Sequence, residues 1–249
     1  SEATNLTERG FKGFFRTTPS SQTLAKDYFE FLNDLVKTRK ATIKTIALIH
    51  ENTLWGEEFA KSVKKYLPEY PQFTLAVDVS YANGTTDLTG EVQRLITAKP
   101  DVVLHASYDA EAILLGKTYK LLGFNPQGTL AHGAAFASSA FRSALKDDAN
   151  FFLIREHFSR DLAPKKPVLG AVADMYRQRY NKDMDGGSAR AFTAMMTLAE
   201  AINRAGSTQP AAIRKALQET NLGENQIIMP WPGIKFDEKG QNTMSRGVF

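Results

Sequence analysis

The side chains able to do chemistry are few and scattered. Cysteine is absent, which excludes thiolate nucleophiles, thiolate metal sites and disulfides. Four histidines, His50, His105, His132 and His157, stand too far apart for a metal-ligand motif. Three of them fall at or near the carboxyl ends of apolar runs, where each is either a hydrogen-bonded strand-end residue or a ligand contact. No G-x-G, Walker A lysine loop, G-x-S-x-G elbow or H-E-x-x-H pattern occurs. No catalytic residue, metal or cofactor is therefore expected. What remains is aromatic: Trp55 follows one apolar run and Tyr108 another. Large flat side chains at loop tips, without a reactive constellation, suit binding better than catalysis.

The elements that must position these residues follow from periodicity. Ile43 and Ile46–Ile49 form a short run rich in β-branched residues, read as a buried parallel strand. It stops at His50-Glu51-Asn52, passes through Trp55-Gly56, and gives way to a helix with Phe59, Val63 and Tyr66 on one face. In open α/β sheets, ligands sit at such carboxyl-end loops. The pattern repeats: strand 73–80 then helix from Leu88, and strand 102–107 then helix 110–122 closed by Gly123. Strand 129–132, a loop at 133–138, helix 139–145 and strand 151–158 follow. Ahead of them, Leu24 to Val36 carry helical spacing, with Ser20 or Ser21 as N-cap. These repeats predict an α/β fold with a parallel sheet and right-handed crossovers. Beyond Pro167 the texture turns helical, over 168–180, 190–205 and from Pro210, before a strand-like tail at 227–236 and 246–249.

The 249 residues, 43% hydrophobic and 23% charged, are ordinary for a globular chain of one large domain or two lobes. The net charge of +4 is dispersed. Lys61, Lys64 and Lys65 belong to a polar helix face and Lys165-Lys166 to a loop, so no nucleic-acid partner is expected. No apolar run approaches the ~18 residues of a membrane span. No signal peptide opens the chain, which is also how a mature exported protein would read.

Several ordered stretches carry a resemblance. These are SEATNLTERGFKGFFRTTP (1–19), IALIHENTLWGEEFA (46–60), TDLTGEVQRL (86–95), PDVVLHASYDAEA (100–112), AINRAGSTQPAAIRKAL (201–217) and FDEKGQN (236–242). In this order and spacing the chain resembles a type I periplasmic solute-binding protein of the leucine/isoleucine/valine-binding branch, which serves ABC importers. The resemblance implies a two-lobed fold with the ligand in a cleft. Residues 17–158 and 226–249 would form the second lobe, and 1–16 with 159–225 part of the first. Hinges are expected at Arg16-Thr17, near Phe158 and near Gln226. Family members begin with a strand and several βα units ahead of the SEAT segment, so roughly a hundred residues of the first lobe are expected to be missing. Without them, 1–16 and 159–225 would expose apolar surface.

The resemblance also implies site residues. Glu2, Ala3 and Thr4 match the loop that holds a ligand carboxylate through backbone N–H groups and a hydroxyl. Trp55 matches an aromatic laid over the ligand; Tyr108, with Ser107 beside it, matches a second. Gly133, Ala135 and Phe136 match a loop in which amino-acid binders carry G-x-E, whose glutamate pairs with the ligand ammonium. Here Ala135 stands at that position. Either Asp109 or Glu2 replaces the glutamate, or the ligand lacks an α-ammonium and is an aromatic or aliphatic acid. Arg190 lies where the family lines its cleft, as a carboxylate clamp or a surface cation.

The expected function is the extracytoplasmic solute-binding component of an ABC importer, periplasmic or membrane-anchored in a Gram-positive cell. Its expected partners are a small-molecule carboxylate and an inner-membrane permease, and it is expected to be a monomer. The alternative is the sensory ligand domain of a receptor with the same fold.

Overall fold

A computed structural model describes residues 2–132, 134–150 and 152–247. In chain order the elements begin with α1 (Asn5–Glu8), α2 (Ser21–Arg39), β1 (Thr45–Glu51), α3 (Leu54–Tyr66), β2 (Thr74–Tyr81) and α4 (Thr89–Ala98). Next come β3 (Val102–Ala106), α5 (Asp109–Leu122), β4 (Gly128–His132), α6 (Ser139–Leu145) and β5 (Phe152–Arg155). The chain continues with α7 (Pro167–Tyr180), α8 (Gly186–Ala205), α9 (Pro210–Gln218), β6 (Asn221–Gly223) and β7 (Gly233–Lys235). Two compact units result: Ala25–Glu156, and Glu2–Leu24 together with the chain from His157 onward.

In the first unit β1 to β5 form a parallel sheet of order β2-β1-β3-β4-β5. The inner strands β1, β3 and β4 are buried on both faces, which explains their near-continuous apolar runs, while the edge strand β2 keeps exposed positions. Ile46 and Leu48 of β1 join Tyr28, Phe29 and Leu32 of α2 and Phe59 and Val63 of α3 in one core. Ala47 and Ile49, one residue out of phase, join Val92 and Leu95 of α4 and Leu115 and Tyr119 of α5 in the other. The sheet's lower rim is pinned by Asp101, whose Oδ2 accepts from the Lys44 and Thr45 backbone N–H groups, both at 2.8 Å.

The strand order has a direct consequence. The chain leaves β1 for β2 on one side, then returns across β1 to β3. The helix after β1 therefore packs on one face and the helix after β3 on the other. Their loops part between β1 and β3, opening a crevice at the carboxyl edge of the sheet.

Expected elements match closely where helix caps or buried runs are clear. Ser20 caps α2, its Oγ accepting from Thr23 N at 3.3 Å, and Gly123 ends α5 at φ +66°. Three differences have local causes. β5 stops at Arg155, short of the expected Phe158. α8 starts at Gly186 rather than Arg190, because Asp185 and Ser188 close a capping box. The expected strand 227–236 survives only as β7, paired antiparallel with β6; Pro230 and Pro232 supply no N–H for a longer ladder. Of the expected strand 246–249, Val248 and Phe249 lie outside the described residues.

The tail groups differently from the lobe bounds drawn on sequence. Ile228, Met229, Trp231, Ile234 and Phe236 share a core with Phe158, Leu169, Val172 and Ala189. Residues 226–247 thus group in one unit with 157–225 and 2–24. Arg16 staples this second unit: it is buried and donates to Ala3 O at 2.7 Å, Thr7 Oγ1 at 3.3 Å and Gln241 Oε1 at 2.6 Å.

Candidate ligand-binding site

In the first unit, Trp55 and Tyr108 stand on the two loops that part at the crevice, each in or beside the first turn of its helix. Their ring centroids are 5.0 Å apart, tilted by 36°. His132, the last residue of β4, stacks on Trp55 at 5.3 Å and 23° and lies over Phe59 at 4.5 Å and 17°. The result is an aromatic column, Tyr108–Trp55–His132–Phe59, along the carboxyl edge of the sheet. Tyr28 braces its base: its ring meets Phe59 edge-on and its hydroxyl donates to Ala131 O at 2.6 Å. The column's outer end faces water, with Tyr108 44% exposed and Trp55 half-buried.

Arg155, the last residue of β5, is fully buried, and its Nη2 lies 3.4 Å from His132 Nδ1. A guanidinium only donates, so Nδ1 is the acceptor in this contact and the ring proton belongs on Nε2.

Trp55 is positioned by Glu51. This fully buried carboxylate accepts from Gly56 N at 2.7 Å, from Thr53 Oγ1 at 2.9 Å and from Thr53 N. It therefore already neutralises the positive end of α3. Gly56 is required here: a Cβ would lie 2.1 Å from Glu51 O and 2.8 Å from Glu51 Oε1.

Other expected site residues turn inward. Ser107 is fully buried, its Oγ accepting from the Tyr81 hydroxyl at 2.6 Å. Burial pushes that tyrosine's pKa up. Phe136, expected to line the ligand, is core: it packs against Phe141 at 5.1 Å, His105 at 5.3 Å and Phe152 at 5.7 Å. Ala135 is buried in the same cluster, and Gly133 lies outside the described residues. His105 is fully enclosed there, and burial alone pulls its pKa down to about 3. His50 faces Asp78 at 3.1 Å. Burial is the largest single influence and works against its charge, but the Asp78 bond, the Glu51 carbonyl and the nearby carboxylates together raise its pKa. Asp78 falls to about 2, chiefly through the His50 hydrogen bond.

In the second unit a charged cluster gathers around Glu2. Its Oε1 lies 3.0 Å from His157 Nε2 and 3.4 Å from Arg190 Nη1, while its backbone carbonyl accepts from Ser21 N and Oγ. Glu2 and His157 are buried; the Arg190 side chain keeps 29% of its surface. Trp231 meets His157 edge-on at 6.4 Å. Thr4 Oγ1, Thr193 Oγ1 and Trp231 Nε1 are buried and have no hydrogen-bond partner among the described residues.

Of the residues expected from the resemblance, Trp55 and Tyr108 lie on the first unit and Glu2, Thr4 and Arg190 on the second. Sequence patterns marked His132 and His157 only as strand-end residues with two readings. Phe59 read as an ordinary core position, and Arg155 went unnoticed. The available signal for Arg155 was its place at the end of a buried run. Among the described residues no group of three or more metal-ligating side chains occurs, and no helix is long and apolar enough to cross a membrane.

A doubly wound parallel sheet whose switch-point loops present an aromatic surface has the architecture of a small-molecule binding α/β protein. Residues 1–248 match the periplasmic binding protein family, and the chain belongs to it. It is 24% identical over 253 residues to Leu/Ile/Val-binding protein homolog 7 of Brucella abortus, an alignment covering 96% of this chain and 61% of that protein. The leucine binding protein LivK of Thermotoga maritima superposes with a TM-score of 0.80 at 20% identity, over 97% of this chain and 65% of that one. A solute binding protein of R. palustris in complex with benzoate gives 0.79 at 14% identity, over 99% and 67%. These solved structures are two-lobed type I periplasmic binding proteins, and this chain shares their fold. The chain spans about three-fifths of the length of the curated relatives it matches.

Proposed function

We propose that this chain belongs to the extracytoplasmic solute-binding component of an ABC importer, which captures a small carboxylate by closure of two lobes and delivers it to a membrane permease. The ligand class is an amino acid or an aromatic or aliphatic organic acid. The observation that carries this reading is the aromatic column at the sheet's switch point, which offers a flat apolar surface to a small ligand. In the second unit Ala3, Thr4 and Arg190 are the proposed carboxylate contacts; in the first, Trp55 and Tyr108 are the proposed aromatic ligand contacts. The relatives' names support the reading: those of Brucella are called Leu/Ile/Val-binding homologues, and the R. palustris protein holds benzoate. A periplasmic or membrane-anchored location is proposed on the same basis.

The test is thermal unfolding of the full-length protein with a panel of amino acids, amine-free carboxylates, uncharged sugars and amines. A ligand at 100 times its Kd adds about 2.7 kcal/mol to the folded state. A rise of several degrees with any of these acids is expected. A panel in which only uncharged sugars or amines stabilise would refute the carboxylate assignment.

A further inference from the structure

We propose that Glu2, bound by His157 and Arg190, is not an acceptor for a ligand ammonium but the residue that aims Arg190, and that the cluster selects carboxylates lacking an α-amine. The inference rests on the carboxylate-binding reading above and narrows it.

The geometry of Glu2 carries the inference. One oxygen of its carboxylate already accepts from Arg190 Nη1 at 3.4 Å and lies 3.0 Å from His157 Nε2, and the side chain is buried. An incoming ammonium would have to share that carboxylate with a guanidinium that is always charged. It would also be desolvated beside a like charge, where repulsion is weakly screened. Glu2 and Arg190 offset one another in charge, and Asp185 also interacts electrostatically with Arg190. An anion meets the guanidinium itself. Arg190 spends one donor on Glu2 and keeps 29% of its side chain accessible, leaving further N–H groups of its fork for a carboxylate.

Position supports the same role. The capping box of Asp185 and Ser188 fixes the first turn of α8 and with it the root of Arg190. Glu2 then sets the far end of the side chain. Thr4, two residues from Glu2, holds a buried hydroxyl without a partner among the described residues, as does Thr193, one turn beyond Arg190. Both hydroxyls can donate to a carboxylate. The remaining acid considered from sequence, Asp109, is exposed in the first turn of α5 in the other unit.

The experiment is calorimetric titration of the full-length protein with matched pairs: leucine against 4-methylpentanoate, and phenylalanine against 3-phenylpropanoate. The wild type is compared with Glu2→Gln, Arg190→Gln and Arg190→Lys, each checked for unchanged thermal unfolding. The expected result is that the amine-free acid of at least one pair binds ten-fold or more tightly than its amino acid. Arg190→Gln should then weaken that acid ten-fold or more. Arg190→Lys, which keeps charge but not the fork, should fall between. An amino acid that binds more tightly than its matched acid, and loses that advantage in Glu2→Gln, overturns the inference and leaves the carboxylate reading intact. If no member of either pair binds, the carboxylate reading itself falls, and this inference with it.

Discussion

Replacing Gly56 by alanine tests whether the Glu51 clamp holds Trp55 in place. The new methyl carbon would sit 2.1 Å from Glu51 O and 2.8 Å from its Oε1, far inside contact distance, so the helix start must move away from the strand end. That motion breaks the 2.7 Å bond from Gly56 N to the carboxylate. A hydrogen bond to a charged group is worth about 1.5–3 kcal/mol, and forcing a methyl group into a packed site adds about 1–3 kcal/mol. Against this, alanine gains about 1 kcal/mol over glycine in a helix. The balance is a loss of about 1.5–5 kcal/mol, which lowers Tm by roughly 2–4 °C per kcal/mol for a protein of this size. Gly90 of α4 is the control, since a Cβ there meets nothing within 4 Å; its alanine variant should be neutral or slightly stabilised. Thermal unfolding by circular dichroism reads both variants, and ligand titration reads the displaced Trp55. If Gly56→Ala and Gly90→Ala unfold within 1 °C of each other, the clamp does not position the loop.

Three further outcomes follow from the same geometry. Trp55→Ala should weaken ligand binding by about ten-fold or more in calorimetry, since a stacked aromatic contributes roughly 0.5–1.5 kcal/mol beyond the area it buries; an unchanged Kd would remove Trp55 from the site. His105 has its pKa pulled from 6.5 to about 3 by burial, so the unfolded chain binds the extra proton and folding weakens as pH falls below 6.5. At 1.36 kcal/mol per unit, urea unfolding at pH 4.5 and 7 should show the wild type losing about 2–3 kcal/mol more than His105→Gln; equal losses would contradict the assignment. Asp78, lowered to about 2, supplies stability that is present above its unfolded pKa of 3.8 and lost as pH falls through 2. Asp78→Asn should therefore cost about 1–2 kcal/mol at pH 6, allowing for partial exposure, with the cost vanishing near pH 2 in an acid titration of stability.

Much was legible in order along the chain. The strand β1, the loop bearing Trp55, the helix stop at Gly123 and the placement of Tyr108 rest on local rules: apolar runs, caps and turn residues act on their neighbours and need no partner strand. The place of the candidate site was legible for the same reason, because the carboxyl end of a buried strand is identifiable from the strand itself. Tertiary structure alone decided which of the strand-end side chains share a surface. Phe136 and Ser107 sit in loops as suggestive as those of Trp55 and Tyr108, yet one fills a core with Phe141 and Phe152 and the other is closed off by Tyr81. His132 joins Trp55 because β4 is two places from β1 in the sheet order, and adjacency in a sheet is not written in sequence spacing. Glu2 meets Arg190 across 188 residues of chain. A pairing at that separation depends on how α8 packs against the N-terminal segment, and no local propensity encodes it.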